Sequence, residues 1–192
     1  MLEQIERGLA DESAEARSEL DGAFARFEST QPELSDAISQ VLSRPLDETA
    51  LALGYFLSIA VWLAFERTFG AARLREVSAD ALRATEEAIN LEEELRAAHG
   101  DEPLDLDDVV SIEQPNVLAF IHEHVDAALE PRAPASDAGG DSSEGEEVAE
   151  PREVDADDVH AVYRAIVLLT LCLSHAVLPV DGAARGTREL MA

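Results

Sequence analysis

"LALGYFLSIAVWLAF", Leu51 to Phe65, holds no charged side chain and is apolar on every side of a helical wheel, so its placement decides the architecture of the chain. An amphipathic helix hides one stripe. This segment has to be enclosed by several neighbours. Counted from Ala50, the uncharged run is 16 residues, about 24 Å of helix and short of the roughly 30 Å hydrocarbon core of a bilayer. The segment is expected at the centre of a soluble bundle, and crossing a membrane is the less favoured reading. Ala50, Gly54 and Ser58 line up at i, i+4, i+8 as a strip of small residues, which lets another helix come close. That helix is expected to be the other long apolar segment of the same chain rather than a second copy.

Working outward, "SRPLDE" interrupts the chain before this helix, Asp47 sits where it can cap it, and Leu46 can staple against Leu51. Upstream, "STQPE" opens a shorter helix: Thr30 and Glu33 have capping-box spacing, Pro32 falls in the first turn, and Leu34, Ile38, Val41 and Leu42 form an apolar face. A first helix beginning near Asp11, or reaching back over Leu2, Ile5 and Leu9, carries Leu20, Phe24 and Phe27. Downstream, Gly70 ends the central helix. Ser78 caps a fourth that carries Ile89 and stops at His99 and Gly100. A fifth follows Gln114-Pro115 with Val117, Ile121, Val125 and Leu129 facing inward. A sixth starts at Asp155 and runs through "AIVLLTLCL" towards Pro179. The expected fold is all-α, a single domain over residues 1–192 with about six helices.

Two stretches repeat a pattern. Gln31-Pro32 and Gln114-Pro115 open short amphipathic helices whose stripes match, Leu34 to Val117 and Ile38 to Ile121. Past a gap, Asp47 matches Asp155 and Tyr55 matches Tyr163 in the long helices that follow. Each unit is a short helix opened by Gln-Pro and a long apolar helix opened by a stapled Asp. Two such hairpins stacked together hide the apolar surface that neither covers alone, so two pseudo-repeated hairpins are expected around two buried central helices. Glutamine is not a favoured capping residue. Its recurrence suggests that Gln31 and Gln114 bond Tyr55 and Tyr163, or exposed backbone, across the core.

Composition limits the partners. The chain has 41 acidic residues against 14 basic ones, all arginine, for a net charge of -27. That charge repels phosphate backbones and anionic lipid, so nucleic acid is excluded as a partner and a membrane is disfavoured. With 46% hydrophobic residues, a buried core is readily built. The segment 130–153, rich in Pro, Gly, Ser and acid, is expected to be a disordered insertion, and residues 181–192 a loose tail. A lone Cys172 excludes an internal disulfide, and "MLEQIERGLADES" has neither the positive charge nor the apolar stretch of a signal peptide. A cytoplasmic location is expected.

The constellations that carry chemistry are thin. A carboxylate two-metal site needs acids and histidines along the central helices, and between Glu48 and Glu66 there are none. In "IHEHVD", His122 and His124 lie about 200° apart on a helix, so surface positions are expected for both. His122, Asp126 and His160 remain the candidate metal ligands, a weak set. Burial in an apolar helix should raise the thiol pKa of Cys172. No cofactor motif occurs. The expected role is a non-enzymatic interaction or scaffold protein, self-associating or binding another protein. A ligand- or metal-binding bundle and a membrane-associated protein are the alternatives.

Overall fold

A computed structural model describes residues 2–9, 13–99, 110, 113–130 and 154–178. The expected insertion and tail fall almost wholly outside these residues. The fold is all-α: among the described residues there are seven helices and no strand. They are α1 (Leu2–Leu9), α2 (Ala14–Thr30), α3 (Pro32–Leu42), α4 (Glu48–Phe69), α5 (Ala79–His99), α6 (Pro115–Leu129) and α7 (Ala156–Ala176). The expected first helix is two, α1 and α2.

The break between α2 and α3 follows from Pro32. A residue preceding proline is pushed out of the α region, and Gln31 adopts φ -138°, ψ 58°. Its backbone still belongs to both helices, with its N–H donating to Phe27 O at 2.8 Å and its carbonyl accepting from Ser35 N at 2.9 Å. Thr30 does not form the expected capping box: its hydroxyl donates to Arg26 O at 2.7 Å and stays with the last turn of α2. The second Gln-Pro step repeats the geometry. Gln114 has φ -140°, ψ 59°, its N–H reaches Val110 O at 2.6 Å, and its carbonyl accepts from Leu118 N at 3.0 Å.

The two long apolar helices lie against each other at the centre, making the most extensive helix contact in the molecule. They run parallel, because both pairs of ends meet. At the N-termini, Asp47 Oδ1 accepts from Thr49 N and Ala50 N, and Asp155 Oδ1 accepts from Asp157 N and Asp158 N. The caps also bond across the pair: Asp47 N–H donates to Asp158 Oδ2 at 2.8 Å and Asp155 N–H to Asp47 Oδ2 at 3.3 Å. Parallel neighbours place two positive dipole ends side by side, and the three carboxylates offset that repulsion. At the other end, Arg75 N–H donates to Ala176 O at 3.1 Å and Leu178 N–H to Arg73 O at 2.8 Å.

Every residue from Leu57 to Phe65 of α4 is buried, as an all-round apolar helix requires. The N-terminal third is less enclosed, and Tyr55 is 48% exposed with its ring edge-on to Phe24. Leu129, expected inward, is 43% exposed at the final turn of α6. The small-residue strip meets its partners within the chain. A Cβ on Gly54 would lie 2.4 Å from Leu42 Cδ2 and 3.4 Å from both γ-methyls of Val162, so α4 approaches α7 and the end of α3 at that point. The short helices are not exclusive to their own hairpins: α3 packs on α7 as well as α4, and α6 packs on both long helices.

Candidate functional site

Gln31 is the largest buried polar side chain, 1% exposed. Its Oε1 accepts from Val77 N–H at 2.9 Å and its Nε2 donates to Arg75 O at 2.9 Å. These partners fix the orientation of the amide, since an N–H needs an acceptor and a carbonyl needs a donor. The side chain therefore anchors the connector after α4, and neither tyrosine is involved. Gln114 is half-buried and donates through Nε2 to Ser174 Oγ at 3.2 Å, near the end of α7. Gln114 ties the start of α6 to the last turn of α7, whereas Gln31 ties the start of α3 to the connector beyond α4.

The tyrosines differ. Tyr55 faces outward, whereas Tyr163 OH lies 3.1 Å from His122 Nε2, with the His160 ring centroid 6.4 Å from its own. His122 is thus half-buried and engaged rather than a surface residue. Asp126 and His160 are exposed, and among the described residues no group of three or more His, Cys, Asp or Glu has the spacing to hold a metal ion. His122, Asp126 and His160 are not gathered into a ligand set.

His124, also expected on the surface, joins Phe56 and Phe120 in a three-ring cluster, its centroid 4.8 and 4.3 Å from theirs. Its Nδ1 is 2.9 Å from Phe120 O and its Nε2 is 3.5 Å from Glu6 Oε1. Sequence spacing could not reveal this cluster, because Phe56 comes from α4 and Glu6 from α1. The same holds for Arg26, which forks onto Glu66 at 3.0 and 3.1 Å while lying 5.6 Å over the Trp62 ring.

Cys172 is buried between α5 and α7, and burial pushes its thiol above the ordinary value of 9.0, with the Glu86 charge adding to the rise and a hydrogen bond with Thr85 opposing it. The stability associated with the neutral thiol is fully present below the unfolded value and is lost as pH rises through the raised folded value. Native protein at pH ~8 is expected to react with iodoacetamide more slowly than urea-unfolded protein by a factor on the order of 10³ or more, since attack awaits opening. Mass spectrometry of the time course measures this, and equal rates would place the thiol at the surface.

Two sizeable concavities lie between the described helices. One, about 610 Å³, lies over α4 and α6 beside α1, with Phe65, Phe69, Val117 and Phe120 in its wall. The other, about 770 Å³, opens between α3, α5 and α7. Its floor is apolar, with Ile38, Val41, Leu82, Ile89 and Leu168. Its rim holds four carboxylates, Glu33, Asp36, Glu86 and Asp157, against the guanidinium groups of Arg44 and Arg164, the latter donating to Asn90 Oδ1. His160 completes the rim.

Fold and site together define a helical bundle with parallel paired core helices and open flanking clefts. No protein-family model matches the chain, and no curated protein or solved structure matches it either.

Proposed function

We propose that this chain is a non-enzymatic interaction protein whose flanking clefts engage a protein partner or a second copy of itself. The observation that carries the reading is how the interior uses its polar groups. Of the four buried polar residues described, Gln31, Ser35, Ser58 and Thr170, three bond backbone through their side chains: Gln31 the connector, Ser58 Oγ the carbonyl of Gly54 at 2.6 Å, Thr170 Oγ1 the carbonyl of Ile166 at 2.8 Å; the indole Nε1 of Trp62 is buried without a hydrogen-bond partner. The interior holds architecture together, and the shaped, charged flanks are what the molecule presents outward. We also propose that the two hairpins descend from one duplicated unit. Support comes from the matched dihedrals at Gln31 and Gln114 and from matched positions meeting across the pair, Asp47 with Asp155 and Gly54 with Val162. A pseudo-two-fold axis between α4 and α7 produces that kind of self-matched contact. The acidic surface and the single buried thiol fit a reducing aqueous compartment, the cytoplasm.

Sedimentation velocity at about 150 mM salt, where charge repulsion is screened beyond roughly 8 Å, tests the self-associating form of this role. A dimer or larger species is expected, and a strict monomer at all concentrations counts against it. One observation favours the membrane alternative: α4 and α7 are long and apolar enough to cross a bilayer by length and composition. Core helices meet the same criterion, and α4 and α7 are core helices here. Recovery of the expressed protein in the detergent-free soluble fraction supports the interaction reading, and recovery only with membranes supports insertion.

A further inference from the structure

The helix α1 is held differently from the rest of the bundle. It packs on α4 and α2, with Ile5 fully buried and Leu2 and Leu9 partly buried against the same core. Among the described residues, its one side-chain polar contact with another helix is Glu6 Oε1 to His124 Nε2 at 3.5 Å, a partly exposed pair. Its backbone makes no described hydrogen bond outside the helix. By contrast, Gln31 ties down the start of α3, Gln114 that of α6, and the cross-bonded Asp caps join α4 to α7. Open space borders α1 twice. Leu2 and Glu3 stand in the wall of the cleft of about 610 Å³, and a void of about 30 Å³ lies where Ile5, Gly8 and Leu9 meet Leu20 and Leu63. Eight residues are too few to hold a helix in water without packing, so α1 is helical only where such a seat is offered. One occupant that fits the seat is always at hand, the α1 of a second copy.

We infer that α1 exchanges between two copies of the chain, each α1 filling the seat on α4 and α2 of the other. This rests on the self-associating form of the proposed role and names the element that performs it. An exchanged α1 remakes the contacts it leaves, Ile5 in the core and Glu6 at His124, so the pair costs chiefly the entropy of association. Reciprocal exchange fills both seats and closes the assembly at two chains. From Leu9 to Ser13 the chain can span at most about 14 Å, so the two copies meet at the flank formed by α1 and α2. Two molecules at -27 repel each other, and the pair is therefore tighter at moderate salt than at low salt.

Glu3 on α1 and Glu123 on α6 are exposed and line the same cleft, within reach of a short bismaleimide once replaced by cysteine. Glu3→Cys and Glu123→Cys, made singly in the full chain, are mixed at about 150 mM salt, left to equilibrate and treated with the reagent. Cys172 is buried, and the treated parent supplies its background. A covalent heterodimer is expected from the mixture well above what either variant gives alone, because the two thiols meet only when the α1 of one chain is seated on the other. Both changes in one chain, linked within the monomer, lock α1 onto its own bundle. Sedimentation velocity is expected to show self-association of the locked chain weakened about tenfold or more relative to the same chain before linking. A locked chain that associates as well as the unlinked one overturns the exchange, as does a mixture that links no more than its separate components. Either result leaves the interaction role standing on another surface. A parent that stays monomeric at every concentration and salt removes the self-associating role and this inference together.

Discussion

Gln31→Glu is expected to lower stability by about 4 kcal/mol at neutral pH and by little near pH 4. The reason lies in what the amide touches. At 1% exposure it accepts one backbone hydrogen bond and donates another, to Val77 N–H and Arg75 O. A protonated carboxyl is nearly isosteric: its carbonyl oxygen accepts from Val77 and its hydroxyl donates to Arg75. An ionised carboxylate loses the donor, faces a carbonyl oxygen, and is stripped of water. The introduced group therefore has a folded pKa raised above the unfolded value near 4.3. Its stability is fully present below that unfolded value and is lost as pH rises through the folded one. Gln114→Glu is the internal control. Its side chain is half-buried, and the hydroxyl of Ser174 can turn to donate, so less than about 1 kcal/mol is expected at any pH. Urea midpoints for both variants and the parent at pH ~4.5 and ~7.5 measure the difference. Equal effects at the two positions would contradict the buried anchor described for Gln31.

Gly54→Leu is expected to destabilise by about 3 kcal/mol, the upper end of overpacking effects. Glycine inside a helix is itself unfavourable by about 1 kcal/mol relative to alanine, so its presence at the middle of the α4–α7 contact needs a reason. The reason is distance. A Cβ there would fall 2.4 Å from a terminal methyl of Leu42 and 3.4 Å from both methyls of Val162. Alanine gains helix propensity and needs only that Leu42 swing aside, so its two effects nearly cancel. Leucine adds three further carbons between helices that have no space for them, and α4 has to separate from α7. The pair Gly54→Ala with Leu42→Ala should show favourable coupling of about 1 kcal/mol or more, because each change relieves the other. Chemical denaturation of the single and double variants supplies the cycle. A Gly54→Leu midpoint within error of the parent would mean that the helices do not approach there.

Local signals in the chain decide structure where the physics acts over a few residues. Asp47, Asp155 and Ser78 cap because a short acceptor before an apolar run meets free N–H groups one turn on. Gly70 ends α4 at φ 71°, a conformation that glycine adopts without strain. Pro32 and Pro115 start helices because the residue before each is barred from the α region. The failures share a cause as well. Thr30 had the spacing of a cap yet bonds backward to Arg26, since the chain at Gln31 turns without releasing α2. Tyr55 and Leu129 belong to apolar stripes but stand exposed, because whether a stripe is covered depends on a neighbour the stripe does not encode. Spacing on one helix points His122 and His124 to the surface, yet both are engaged by side chains from other helices.

The sequence by itself determined an all-α chain with two apolar helices at its core, because hydrophobic periodicity, capping and proline sterics are properties of short segments. Tertiary structure alone decided that these helices run parallel with their caps cross-bonded and that Gln31 closes over the connector at Arg75 to Val77. Those outcomes depend on atoms brought together from more than forty residues apart, and a distance in space is not written in any one stretch of chain.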